Sequence, residues 1–293
     1  MSIAPAHLFD MVAATVPKDL HQHVLVVGSL AAAYHHRERL GKQAVNTKDA
    51  DLVVHPAGAI EECVRIAERL LESGWRRMPR CTAQATPEPV NKLEAIRLYP
   101  PENEVFFVEL LGLPKPGEQL AKTWIPCELN DGWYGMPCFR FMTLLREDRR
   151  STTSGIEHAS PALMALANLL AHPVLSDDRM SATFNGRSIL RCAKDLGRVL
   201  ALAYLAPDNE LENWEPGWES ALRLHFSSEA STLAARAGNG LARLLGDDRA
   251  LAEAHLTADI GLLGGLGVTE RQLRIAGQRL MADVIEPFTT RFI

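Results

Sequence analysis

Three acidic residues stand where their type and spacing could do chemistry. Asp49 and Asp51 lie two apart in KDADLVV, and Glu109 interrupts the apolar run VFFVELL. On an extended strand, residues i and i+2 leave the same face, so the two aspartates converge to within a few ångströms. Carboxylates held that close repel, and a hard divalent cation with oxygen ligands removes the repulsion. Mg²⁺, or Mn²⁺ in its place, suits the set. An ionised glutamate in a buried strand is expensive without a partner, and a shared cation gives Glu109 one. The residues leave two blander alternatives open: Asp49 as a helix or turn residue after Thr47, and Glu109 as the ion-pair partner of Arg97. Upstream, Gly28 and Ser29 join VLVV to LAAAYHH. Glycine at a strand-to-helix turn lets the backbone approach a ligand, and free N–H groups at a helix start favour a phosphate.

These residues require a sheet to present them. Apolar spacing predicts an opening helix over Pro5–Val16, stopped by Pro17, and a β-branched run over His23–Val27 predicts a strand. A helix follows over Leu30–Leu40, then a strand over Lys48–Val54 and a helix over Ala59–Ser73 closed by Gly74. Further strands are expected over Leu93–Tyr99 and Val105–Leu111. The helix between the first two strands predicts that they run parallel. Pro114–Asp131 reads as irregular, and Tyr134–Leu145 as one more strand or helix.

Beyond the charged stretch Arg146–Arg150 and the polar run Ser151–Gly155, the composition shifts to Ala, Leu and Arg. Helices are expected at Pro161–His172, Arg187–Leu205, Ser220–Leu245, Arg249–Leu263 and Thr269–Ile285. The expected fold class is therefore α+β, a mixed-sheet domain over 1–155 followed by an all-helical domain over 156–293.

At 293 residues, each half is long enough to bury its own core. With 47% hydrophobic and 23% charged residues, the chain reads as globular rather than disordered. A net charge of −5 supplies no global field for nucleic acid or an anionic membrane, so any RNA contact must be local. Arg76, Arg77 and Arg80 form one basic cluster, and Arg146, Arg149 and Arg150 another, although solvated charge runs are the commoner explanation. Five cysteines without a C-x-x-C pair argue for reduced, structural thiols. The start carries no basic segment before a long apolar stretch, and no segment is apolar enough to span a bilayer, so no membrane partner is expected and the location is expected to be cytoplasmic.

Other motifs carry less. His21, His23, His35 and His36 lack the H-x-x-x-H spacing with a further ligand, which argues against zinc. GLLGGLG, Gly261–Gly267, has no preceding strand and reads as a helix–helix turn. Ser29 and Ser160 lack the G-x-S-x-G elbow of a hydrolase.

The order hydrophobic strand, Gly28-Ser29, helix, Asp49-x-Asp51 and a later Glu109 resembles the DNA polymerase β superfamily of nucleotidyltransferases over roughly residues 20 to 112. HASPALMALANLL, His158–Leu170, and the Lys194-Asp195 helix are further similar to the abortive-infection type nucleotidyltransferase toxins. Asn168 stands where that family tends to place a lysine, so the nucleotide-phosphate contact is either missing or supplied by Lys194. The resemblance implies a nucleotidyltransferase-like fold with Asp49, Asp51 and Glu109 as metal and catalytic residues and Gly28, Ser29 and Lys194 on the nucleotide. It implies transfer of a nucleoside monophosphate from an NTP to an acceptor hydroxyl, with RNA such as tRNA as acceptor and a separate antitoxin protein as partner. The alternative is an inactive nucleotide-binding or regulatory module of the same fold.

Overall fold

A computed structural model of the chain describes residues 4–41, 47, 49–101, 104, 106–184 and 186–292. The chain is mixed α+β and divides into two compact units. The first comprises Met1–Tyr34 and Thr47–Ala159, the second His35–Asn46 and Ser160–Ile293. Lys48 and Val105, each read as the start of a strand, lie outside the described residues. No helix among the described residues is long and apolar enough to cross a membrane.

In the first unit, α1 (Pro5–Thr15) begins with proline, whose fixed φ suits a first helical turn, and buries Leu8, Phe9 and Val12. Strand β1 (Val24–Val27) is buried throughout and runs directly into α2 (Gly28–His35), followed by α3 (Arg37–Leu40). After β2 (Asp49–Val54) comes α4 (Ile60–Glu72), with Cys63, Ile66, Ala67 and Leu70 on one buried stripe. Glu61 and Glu62 in its first turn and Arg69 in its last complement the helix dipole. The remaining strands are β3 (Arg76–Arg77), β4 (Arg97–Tyr99), β5 (Phe107–Gly112), β6 (Lys122–Leu129), β7 (Gly132–Phe139), β8 (Arg150–Ser151) and β9 (Glu157–His158).

These nine strands form one mixed sheet in the order β3-β4-β5-β2-β1-β9-β8, with β7 beside β5 and β6 beyond β7. Strand β2 is parallel to β5 and β1 to β9. The expectation of parallel β1 and β2 is corrected, because they pair antiparallel with Val27 opposite Asp51. The chain re-enters the sheet at the end it left. Residues 35–46 group with the second unit, and antiparallel neighbours, unlike parallel ones, need no crossover along the length of the strand. The segment expected to be irregular, Pro114–Asp131, also contains a strand: β6 pairs with β7 along its whole length across the turn Asn130–Asp131.

The second unit holds α5 (Pro161–Ala171), a hairpin of β10 (Arg179–Phe184) and β11 (Arg187–Leu190), and then α6 (Arg191–Leu205), α7 (Asp208–Leu211), α8 (Trp214–His225), α9 (Ala230–Arg236), α10 (Asn239–Gly246), α11 (Asp248–Ile260), α12 (Glu270–Leu280) and α13 (Glu286–Thr290). The hairpin corrects the all-helical expectation. The helix expected over Arg187–Leu205 starts at Arg191, because Arg187–Leu190 are spent on β11. The helix expected over Ser220–Leu245 breaks into parts of α8, α9 and α10, with Gly238 meeting Ile285 so closely that a Cβ there would stand 2.8 Å from its Cγ2. Helix α6 is the hydrophobic centre, packed by α5, α11 and α12, and Gly197 lets the α11 backbone approach. GLLGGLG lies between α11 and α12.

Candidate functional site

Burial alternates at the start of β2. Asp49 and Asp51 are half-buried with fully buried Ala50 between them, the period-two pattern of a strand with one buried face. Parallel pairing with β5 sets Asp49 opposite Phe107 and Asp51 opposite Glu109. Antiparallel pairing adds Val27 on one side and Arg97 on the other. The result is a row across four strands, Val27, Asp51, Glu109 and Arg97, with Asp49 one step along the same face. Adjacent strands are about 4.8 Å apart, so Asp51 and Glu109 start from neighbouring backbone positions.

Gly28 closes the end of this row. Its φ is +74°, in the left-handed region that L side chains avoid. A Cβ at this position would stand 2.9 Å from Asp51 Oδ2, under the distance real Cβ atoms tolerate. The left-handed φ favours glycine, a Cβ would have to displace the Asp51 carboxylate, and that carboxylate lies against the start of α2. Ser29 is the half-buried second residue of that helix.

The acids also have protein partners. Thr47 donates its hydroxyl to Asp49 Oδ1 at 2.7 Å, and Arg97 donates to Glu109 Oε1 at 3.2 Å. Burial works against the Arg97 charge, but the Glu109 carboxylate outweighs it and raises the Arg97 pKa. The blander Arg97–Glu109 pairing is thus present, whereas Asp49 opens strand β2 rather than lying in a helix or turn. With these rotamers, the three carboxylates do not form one of the described ligand groups gathered within 4.8 Å. Each carboxylate has two oxygens and about four lone-pair sites, so Glu109 keeps an oxygen beyond Arg97. An all-carboxylate donor set, with a cradle at Gly28 that a Cβ would fill, fits Mg²⁺ in chemistry and in access.

The other expected contacts lie in the second unit. Lys194 is half-buried on α6, and its neighbour Asp195 accepts from His172 at 2.9 Å. Burial pushes the Asp195 carboxyl up, while His172, Arg198 and Lys194 more than reverse this and hold it below the usual range. Asn168 turns back on its own helix, donating to Met164 O at 2.8 Å. The arginine clusters are largely matched by acids: Arg76 with Glu104 at 3.1 Å, Arg77 with Asp131, Arg149 with Glu157 at 2.7 Å and Arg150 with Asp148 at 2.8 Å. The five cysteines are free and buried, with Cys63 and Cys127 sulfurs 3.8 Å apart.

Sequence reasoning passed over His55 and Glu210. His55 is buried with no hydrogen-bond partner at Nε2, and burial, with Arg149, Arg146 and His23 nearby, pushes it down to about 4. Glu210 joins His35 and His36, their ligand atoms all within 4.8 Å. The histidine pair is visible in the sequence, but Glu210 is too distant along the chain for any spacing rule to connect it. Comparison with protein-family models, curated proteins and solved structures gives no match for this chain.

Proposed function

We propose that the chain is a nucleotidyltransferase-like protein that moves a nucleoside monophosphate from an NTP to an acceptor hydroxyl and releases pyrophosphate. The observation that carries this reading is the cross-strand row in which Asp51 stands between Val27 and Glu109, with its carboxylate against Gly28. Asp49 and Asp51 would hold Mg²⁺ or Mn²⁺, joined by the Glu109 oxygen that Arg97 does not engage. When bound, the ion neutralises the triphosphate and the departing pyrophosphate.

The remaining work falls to the chain. Backbone N–H groups at Gly28 and Ser29, where the helix dipole is positive, hold the terminal phosphates. Arg97 fixes the orientation of Glu109 through its guanidinium. The acceptor oxygen forms a bond to the α-phosphorus as the bond to the β-phosphate oxygen breaks, and Glu109 receives the acceptor proton. Lys194 is proposed as a phosphate contact, and a separate antitoxin protein as a partner. RNA is the acceptor class proposed first, although the arginines that would meet its phosphates already face carboxylates.

The second reading, an inactive nucleotide-binding module, is favoured by Arg97 occupying Glu109 and by Asn168 bonding its own helix. One assay separates the two. The full chain is incubated with Mg²⁺, each NTP labelled at the α-phosphate, and total tRNA at rising salt. Label on tRNA that falls with salt, as phosphate contacts require, supports an RNA acceptor. Label on protein or a small molecule moves the acceptor elsewhere, and nucleotide binding without transfer favours the module.

A further inference from the structure

The second unit contains a set of groups that the transfer chemistry does not use. His35 ends α2, His36 stands between α2 and α3 with φ −91° and ψ 20°, and Glu210 lies on α7. On an unbroken helix, adjacent side chains diverge by about 100° and do not face each other. The break at His36 brings the two imidazoles together, with ring centroids 4.8 Å apart at 76°. The ligand atoms of all three residues lie within 4.8 Å of one another.

The His35–Glu210 separation lies within ion-pair range and is also compatible with a shared metal ion. His35 Nε2 stands 3.4 Å from Glu210 Oε1, longer than the roughly 2.7–3.2 Å of a well-formed N–H···O bond. Tetrahedral zinc holds nitrogen and oxygen ligands at about 2.0–2.2 Å, which places any two of them about 3.3–3.6 Å apart. The separation suits ligands that share an ion.

The surroundings agree. His36 is 4% exposed, while His35 and Glu210 side chains are 22% and 25% exposed, so the set is anchored inside and open outside. The buried indole of Trp214 lies beside Glu210. Two imidazoles and one carboxylate form a borderline donor set that favours Zn²⁺ over Mg²⁺.

We propose that His35, His36 and Glu210 form a transition-metal site for Zn²⁺, with three protein ligands and a position left for water. The ion ties the segment after α2 to α7. Arg39 holds the same segment to the end of α6, donating to Leu205 O at 2.6 Å. The site is independent of the acid row.

The test uses the full chain, stripped with a chelator, dialysed and titrated with Co²⁺ while visible absorption is followed, with Zn²⁺ then added in competition. Asp51→Asn, Glu210→Gln and His35→Gln are titrated in parallel, and far-ultraviolet circular dichroism checks each fold. The expected result is one equivalent bound with the intense absorption of a low-coordinate, nitrogen-containing site, displaced by Zn²⁺ and retained in Asp51→Asn. Glu210→Gln and His35→Gln should weaken binding more than about 100-fold, beyond the 10–100-fold seen when only an outer partner of a ligand is lost. Zn²⁺ should raise the Tm of the unmodified chain and not of these two variants. Absence of saturable binding in the unmodified chain, equal affinity in Glu210→Gln and His35→Gln, or loss of the signal in Asp51→Asn would each overturn the site.

Discussion

The first unit sets Asp49, Asp51 and Glu109 on one face of neighbouring strands, whereas the second sets Asp195 against His172 and Glu210 against His35. In the sheet, like charges are gathered by the period of the strand and by register, from residues close in sequence or on an adjoining strand. Among the helices, carboxylates meet imidazoles contributed from distant parts of the chain. Glu109 also has a protein cation in Arg97, so what sets the row apart is the gathering of three carboxylates on one face, an arrangement that a divalent cation would stabilise.

The largest expected effect sharpens that contrast. Asp51→Asn should lower transfer at least about a thousandfold, roughly 4 kcal/mol of transition-state stabilisation, while leaving the fold intact. Kinetics and a thermal melt on one preparation check both halves. Intact transfer together with a lowered Tm would make Asp51 a structural residue and remove the distinction between the units.

The histidines extend the comparison. His172 and His35 face carboxylates, but His55 in the first unit has Arg149, Arg146 and His23 nearby, and burial is the main cause of its descent from 6.5 to about 4. The folded state therefore binds this proton less readily than the unfolded chain. Its contribution is complete above about pH 6.5 and is lost as the pH falls towards 4, amounting to about 3 kcal/mol. Carboxylates with lowered pKa act at lower pH. Melting curves between pH 7 and 4 should show the loss in the unmodified chain and a flatter profile in His55→Gln; parallel profiles would place the acid sensitivity elsewhere.

Next in size is Gly28→Ala. A left-handed φ with a Cβ 2.9 Å from Asp51 Oδ2 should cost about 1–2 kcal/mol of stability and shift the Asp51 carboxylate. Denaturant unfolding measures the first effect and transfer kinetics the second. An alanine variant with unaltered stability and transfer would show that the turn relaxes freely. The smallest effect is expected for Asn168→Ala, which removes a side chain bonded only within its own helix among the described contacts. Transfer should change less than about twofold, and a larger loss would return Asn168 to the nucleotide site.

How much of this was legible follows the same division. Asp49 and Asp51 were readable as one face because a strand's period is short, and Gly28 was readable because a tight turn after VLVV needs a residue tolerant of left-handed backbone. The parallel pairing of β1 and β2 was misread, since nothing local shows residues 35–46 grouping with the second unit. Strand β6 was missed because Pro126 and the polar residues around it look like a loop. The signal that could have found it is Asn130–Asp131 before Gly132, whose φ is +130°, a two-residue hairpin turn. The start of α6 was set four residues early because Ser188 and Ile189 are as compatible with helix as with strand. Glu210 was invisible as a partner of His35 because only tertiary packing joins them.

The central claim is that the acid row receives metal ions and an NTP. A crystal structure of the full chain with Mn²⁺ and a non-hydrolysable NTP, phased to reveal anomalous scattering from manganese, tests it most directly. The account predicts manganese between Asp49, Asp51 and Glu109, with the triphosphate against Gly28 and Ser29. Saturating ligand with no manganese at the row, and Glu109 still engaged by Arg97 alone, would contradict it.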